Sequence, residues 1–309
     1  MASLDVLRGL AVAGMVLVNV GGGLPGLQHA RWHGCTVADL VFPVFLFVMG
    51  ASMAQTAPPS TAKVVRRAAV LFGLGLLLNG LPRFDMAEIH VMGVLQRIAV
   101  CYLLAAFALR RLPARRVAPF VAAVLIAYWA LLTRVPPPGA AHATLTPDGT
   151  IASVVDRAVL GARHVYANGP LDPEGVLSTA TATCTVLLGW MAGRHIATPR
   201  VLVRWGLAGV AVGLAWHPLF PLNKWLWTGS FVLFTAGVAA LALAALARAD
   251  EARWTHWPEV LGRNAIVVFV LAELAGMVLG HGPASAVGLL VGLTAVAEAM
   301  WRRRRFVTV

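Results

Sequence analysis

The chain has 309 residues, 59% of them hydrophobic and 12% charged, with a mean hydropathy of +0.77. Soluble domains carry about a quarter charged residues, so a water-soluble globule is excluded. The net charge of +12 does not mark a nucleic-acid binder, because no basic run is interleaved with aromatics and membrane proteins gather Lys and Arg on cytoplasmic loops.

The first apolar run, 4–22, begins almost at Met1 and ends in Asn19 and a glycine run, Gly21-Gly22-Gly23. It lacks a small-x-small cleavage site and reads as a retained helix. Asp5 and Arg8 stand three apart near its start and can pair on one face. Arg8 could also meet an anionic group arriving from the cytoplasm, since guanidinium suits phosphate. A polar stretch follows, Gln28-His29-Ala30-Arg31-Trp32-His33-Gly34, and then Asp39-Leu40-Val41-Phe42-Pro43 opens the second apolar run, 37–56. Polar groups placed beside hydrocarbon must be paired or wet, so this stretch is where function is sought.

Further apolar runs occupy 64–81, 92–111, 117–134, 176–194, 201–217, 228–247, 260–279 and 283–300. Each is about long enough for a hydrocarbon core of roughly 30 Å at 1.5 Å per residue. The expected fold is therefore an all-α polytopic membrane protein, about ten transmembrane helices in one bundle forming a single domain over 1–309. With alternating helices, Arg8, Lys63, Arg66, Arg67, Arg110, Arg111, Arg115, Arg116, Arg194, Arg200, Arg204, Arg248, Arg253, Arg263 and Arg302 to Arg305 fall on one side. Arg31, Arg83, Arg97, Arg134, Arg157, Arg163 and Lys224 fall on the other. The excess of basic residues in the first set predicts that both termini are cytoplasmic.

The outer segments then hold the polar chemistry. Loop 135–175 is too long for a plain turn, and loops of that length are functional or disordered; a small lid or a substrate-binding element is expected. It closes in Asp172-Pro173-Glu174-Gly175, where the carboxylates read equally as a helix cap and as substrate contacts through Glu174. Pro221-Leu222-Asn223-Lys224-Trp225-Leu226-Trp227 mixes an amide and an ammonium with interfacial aromatics, making Asn223 and Lys224 candidate substrate contacts. Gln96, Arg97 and Glu273 lie inside apolar runs and should face the bundle interior, where Arg97 and Glu273 read as neutralising buried charge. Gly262-Arg263-Asn264 opens the run 260–279 on the inner side, where backbone N–H groups can receive an anion. Cys35, Cys101 and Cys184 show no metal or redox spacing and read as small core residues.

His29 is the leading catalytic candidate. Imidazole titrates near neutral pH and can take a proton from an attacking amine or hydroxyl. Asp39 can orient it by accepting its other N–H, and Asn19 can donate to a developing oxyanion. His33, four residues on, shares a face with His29 if the segment is helical. No Glu lies between the two and a third ligand would have to come from elsewhere in the chain, so no metal is expected.

These segments, with Ser3-Leu4-Asp5-Val6-Leu7-Arg8-Gly9 and Gly93-Val94-Leu95-Gln96-Arg97, resemble the heparan-alpha-glucosaminide N-acetyltransferase family of transmembrane acyltransferases, in a compact bacterial-type form. The motifs run in the family's order across most of the chain. The resemblance implies acetyl transfer from cytosolic acetyl-CoA to an amino sugar or glycan across the bilayer, in a bacterial inner membrane. It places the family's active histidine on His29, in a His-Ala-x-Trp pattern that includes Trp32, and its catalytic asparagine on Asn19. Asp5, Arg8, Arg263 and Asn264 are then expected at acetyl-CoA, and Trp32, His33, Glu174, Asn223 and Lys224 at the acceptor. The family commonly has Asn where this chain has His33. Expected partners are acetyl-CoA, the acceptor and the lipid bilayer, with a homodimer among the assemblies open to it and no nucleic acid. The alternative reading is a transporter or flippase, with Arg97 and Glu273 on the substrate path. It calls for internal symmetry and paired broken helices, and the sequence shows neither.

Overall fold

The computed structural model describes residues 2–22, 24, 26–81, 84–248 and 253–306. Gly23 of the glycine run and Arg83 of the outer basic set lie outside the described residues, as does the side chain of Arg253. The described residues form twelve α-helices and two short 3-10 turns, with no strand among them. In chain order these are α1 Ala2–Val20, α2 Val37–Met53, α3 Thr61–Gly80, α4 Val94–Arg111, α5 Ala114–Arg134, α6 Ile151–Leu160, α7 Val176–Gly193, α8 Pro199–Trp216, α9 Gly229–Leu246, α10 His256–Arg263, α11 Ala265–Leu279 and α12 Pro283–Arg302.

Every apolar run of the sequence coincides with a helix, but the run 260–279 is broken. Its helices α10 and α11 meet at 85° around Asn264. Gly262-Arg263-Asn264 therefore closes one helix before the next begins, instead of opening a single long one. Loop 135–175 contains α6 and a 3-10 turn, Tyr166–Asn168, neither of them foreseen.

Among the described residues, α1, α5, α7, α9 and α12 are long and apolar enough to cross a membrane, and the bent α10–α11 pair counts as a sixth if taken as one span. That fits an α-helical membrane protein and stops short of the ten crossings expected. Helix α2 is apolar but has 17 residues. Helices α3 and α4 carry Lys63, Arg66 and Arg67, and Arg97, Arg110 and Arg111, respectively.

Burial sorts the helices into layers. About 67% of the apolar window of α7 and of α9 is buried, against 28% for α5 and 17% for α12. The outer helices turn apolar side chains away from the protein, Ile126 on α5 and Val287 and Val291 on α12 among them. Such a surface suits lipid, as an exposed apolar stripe in water does not. Inside, glycines set how closely backbones meet. A Cβ on Gly50 of α2 would fall 1.9 Å from the Val186 carbonyl oxygen, and one on Gly189 of α7 would fall 2.0 Å from that of Phe47. Small residues at a crossing let two helices touch along the main chain. The seam holds α2 against α7, and so fixes the start of α2 beside the start of α7 and the loop before α9.

Candidate active site

Residues 26–36 form no helix, so His29 and His33 do not share a helix face. What shapes this stretch is the first turn of α2. Asp39, third residue of that helix, turns its carboxylate back and accepts the N–H of Thr36 at 2.9 Å, a capping arrangement. The same carboxylate reaches across the loop. It accepts the Ala30 N–H at 3.0 Å and lies 2.7 Å from His29 Nδ1. Asp39 is 1% exposed while the His29 side chain is 41% exposed, so a buried acid holds an open imidazole. A carboxylate has only lone pairs to offer, so the hydrogen of this bond sits on Nδ1 and leaves Nε2 as the acceptor.

A second loop, 217–228, covers the first one contact after another. Gly34 N–H donates to the Leu222 carbonyl at 2.8 Å, Asn223 Nδ2 meets His33 Nδ1 at 3.3 Å, and the Trp32 and Trp225 rings are 6.2 Å apart. Lys224 Nζ lies 3.1 Å from His29 Nε2 and 3.3 Å from Nδ1. At nearly equal distances from both ring nitrogens, the ammonium lies beside the imidazole and off the lone-pair axis of Nε2, which stays open. The turn that presents Lys224 closes on Trp227, whose φ is +49°. That is a strained setting for a bulky side chain. It is held there by complete burial, by an indole bond to Thr185 Oγ1 at 3.1 Å, and by edge contacts with Phe42 and Phe231.

Behind the two loops lies a buried polar layer. Arg97 is fully buried, with its guanidinium 5.0 Å from the Trp227 ring and Nη2 donating to Ser178 Oγ and the Gly175 carbonyl. Its Nε and Nη1 have no protein partner among the described residues. Asp172 accepts the Glu174 N–H on one oxygen, and His90 Nε2 (2.8 Å) and the Tyr166 N–H on the other. One ligand atom each from His90, Asp172 and Glu174 lies within 4.8 Å of the others. The sequence did not single out this trio, and Asp172 already uses both its oxygens in hydrogen bonds. Glu174 is 8% exposed, and burial pushes its carboxyl above the usual range, opposed mainly by the Arg97 charge. Burial likewise lowers Lys224, opposed by the charges of Glu174 and Asp39, and lowers His33, helped by His217.

The helix cap expected at Asp172 and Glu174 is supplied from elsewhere. Asp156, on α6, accepts Val176 N–H at 2.8 Å at the start of α7 and Asp172 N–H at 3.3 Å. Burial raises the Asp156 carboxyl to about 6. Asn19 has a partner within the protein. Its side-chain amide donates to Glu273 of α11 at 2.8 Å, and the two residues line a small cavity of about 90 Å³ with His281 and Gly276.

The residues expected at acetyl-CoA meet at the opposite end of α1. Arg8 Nη1 lies 2.8 Å from Asp5 and 3.3 Å from the Gly262 carbonyl, and its Nη2 donates to Ser52 Oγ at 2.6 Å. Arg263 reaches Asp5 at 3.3 Å and Glu259 at 2.9 Å, its guanidinium 4.4 Å from the Trp301 ring. Asn264 is buried at the bend. Arg8 and Arg263 thus share the single carboxylate of Asp5, and Asp5 stands fourteen residues, or roughly 21 Å along the helix, from Asn19.

Comparison with known proteins agrees with the resemblance read from the motifs. Residues 1–151 match the family described as "Heparan-alpha-glucosaminide N-acetyltransferase, catalytic". The chain is 28% identical to the mouse heparan-alpha-glucosaminide N-acetyltransferase over 87% of its own length and 53% of that protein. It is 29% identical to the human one over 88% of its length and 52% of that protein. It spans about half the length of these relatives.

Proposed function

We propose that the protein is a transmembrane acetyltransferase, moving an acetyl group from acetyl-CoA on the cytoplasmic side to an amino sugar or glycan end on the other side. The name of the relatives supplies the reaction class. The observation that carries it to particular residues is the 2.7 Å contact of buried Asp39 with His29 Nδ1. An imidazole so held is a general base or a nucleophile with one nitrogen aimed outward. Attack by the amine, with His29 taking its proton, and attack by His29 itself both use this geometry.

The proposal sets the chain in a bilayer, a bacterial inner membrane in the simplest case, with ten crossings and both termini inside. The unequal partition of basic residues supports that orientation. Arg8 and Arg263, with Asp5 and Asn264 beside them, serve the phosphates of acetyl-CoA, while Trp32, His33, Asn223 and Glu174 form the acceptor side. The pantetheine arm then runs along α1 toward His29.

Purified protein in liposomes tests it, with labelled acetyl-CoA on one face and glucosamine on the other. Labelled N-acetylglucosamine should form on the glucosamine side, and detergent should remove the dependence on side. Absence of transfer with both substrates in detergent overturns the reading, and counterflow of glucosamine without acetylation establishes the transporter instead.

A further inference from the structure

Acyl transfer needs a group to receive the negative charge that collects on the carbonyl oxygen. The sequence offered Asn19, but one amide hydrogen of Asn19 goes to Glu273. A cationic side chain stands at the reactive nitrogen itself. Lys224 Nζ is 3.1 Å from His29 Nε2, the nitrogen that Asp39 leaves open. The residue is brought there by a turn that tolerates a left-handed Trp227, and the turn is pinned by four of its own hydrogen bonds. Asn223 Oδ1 accepts from Leu226 N–H at 2.8 Å, Asn223 N–H donates to Thr228 Oγ1 at 3.1 Å, Trp227 N–H reaches the Lys224 carbonyl and Thr228 N–H the Asn223 carbonyl. A lysine needed only for solubility would not require a buried asparagine and a strained tryptophan to aim it.

Resting on the acetyltransferase reading, we infer that Lys224 is a catalytic residue, the donor that stabilises the oxyanion as the thioester is attacked beside His29. In the free protein Nζ rests beside the imidazole, 3.1 Å from Nε2. When the thioester enters, its carbonyl oxygen accepts from Nζ, and Nε2 faces the acceptor. The amine nitrogen forms a bond to the carbonyl carbon, the C=O π pair moves onto oxygen, and Nζ–H donates to it while His29 Nε2 takes the amine proton. Collapse re-forms C=O and breaks C–S, and the thiolate leaves with the proton from His29 as the CoA thiol. If His29 attacks first, the same oxygen carries the charge and the same donor serves it. Fixed donors aimed at developing charge in a dry site are worth more than in water, because they need no reorganisation.

Several charges bear on Lys224. His29 and Cys35 come from loop 21–36, Asp39 from α2, Arg97 from α4 and Glu174 from the turn before α7. The carboxylates of Asp39 and Glu174 favour the ammonium, while burial and Arg97 oppose it, with burial the larger cause of its lowered titration. Loss of activity on the alkaline side should therefore begin below the ordinary lysine range.

The test compares Lys224→Met, Lys224→Arg, Asn19→Ala and His29→Ala for labelled acetyl transfer to glucosamine, with acetyl-CoA binding and pH profiles measured on each. Lys224→Met should lose about 10²–10³ in turnover, the scale of one oxyanion donor, with acetyl-CoA affinity unchanged. Lys224→Arg should recover most of that loss and move the alkaline limb upward, since guanidinium stays charged. Asn19→Ala should lose less than Lys224→Met. A Lys224→Met protein within a few-fold of wild type, while His29→Ala is inert, overturns the role of Lys224 and leaves the acetyltransferase standing. So does a Lys224→Met protein that has lost acetyl-CoA binding along with turnover. A wild-type protein that transfers nothing removes the acetyltransferase and this inference together.

Discussion

Gly9 of α1 and Gly262 of α10 face each other with no room for a side chain on either. A Cβ on Gly9 would fall 1.7 Å from the Pro258 carbonyl oxygen, and one on Gly262 would fall 1.8 Å from that of Asp5. This contact sets Asp5 between Arg8 and Arg263, and so builds that charged cluster from two segments about 250 residues apart.

Gly9→Ala should push α10 off α1. Overpacking of a tight contact costs about 1–3 kcal/mol, and here the nearest atoms are backbone and cannot rotate away. Thermal unfolding in detergent should show a lower midpoint, together with weaker stabilisation by added acetyl-CoA. Gly73→Ala on α3 is the control, because nothing lies within 4 Å of its Cβ position. It should be neutral or slightly stabilising, as alanine is the better helix former.

Asp156 gives a pH dependence whose sign is fixed. Its carboxyl is raised to about 6 in the folded protein, above the unfolded value near 3.9. Between those pH values the folded state binds more protons than the unfolded state, so stability falls as pH rises through that window. The contribution is fully present below pH 4 and gone above about pH 6. The gap between the folded and unfolded values bounds it at roughly 3 kcal/mol. Unfolding midpoints taken from pH 4 to 7 should decline more steeply for wild type than for Asp156→Asn, whose side chain does not titrate. Equal slopes would remove Asp156 as the source.

The helices are legible in the sequence because apolar runs of the right length leave few alternatives, and all ten runs are helical. The break at Asn264 is not, since Gly262 and Asn264 suit a helix end but stand inside a run whose flanks are apolar and read as one helix. The pairing of His29 with Asp39 is legible because the two stand ten residues apart across one short loop. Lys224 reads as a substrate contact and not as a neighbour of His29, for 195 residues separate them and the register of the two loops comes from Gly34 on Leu222. Asp156 escapes a sequence reading altogether. It sits in a short amphipathic helix inside a loop with no matching motif, and its task, holding the start of α7, becomes visible only in three dimensions. Arg97 and Glu273 read as neutralisers of buried charge. In the fold Glu273 holds Asn19, and Arg97 lies over Trp227 where its charge acts on Glu174.

If the chemistry depends on His29, labelled acetyl transfer to glucosamine will separate His29→Ala from His33→Ala. A general base contributes about 10²–10⁴ in rate. His29→Ala should therefore show no measurable transfer while still binding acetyl-CoA, because the cations expected to hold the cosubstrate lie at the far end of α1. His33→Ala should keep its turnover and change its preference among amino-sugar acceptors, since its contact is with Asn223. Near-native turnover by His29→Ala would show that the reaction does not run through this imidazole.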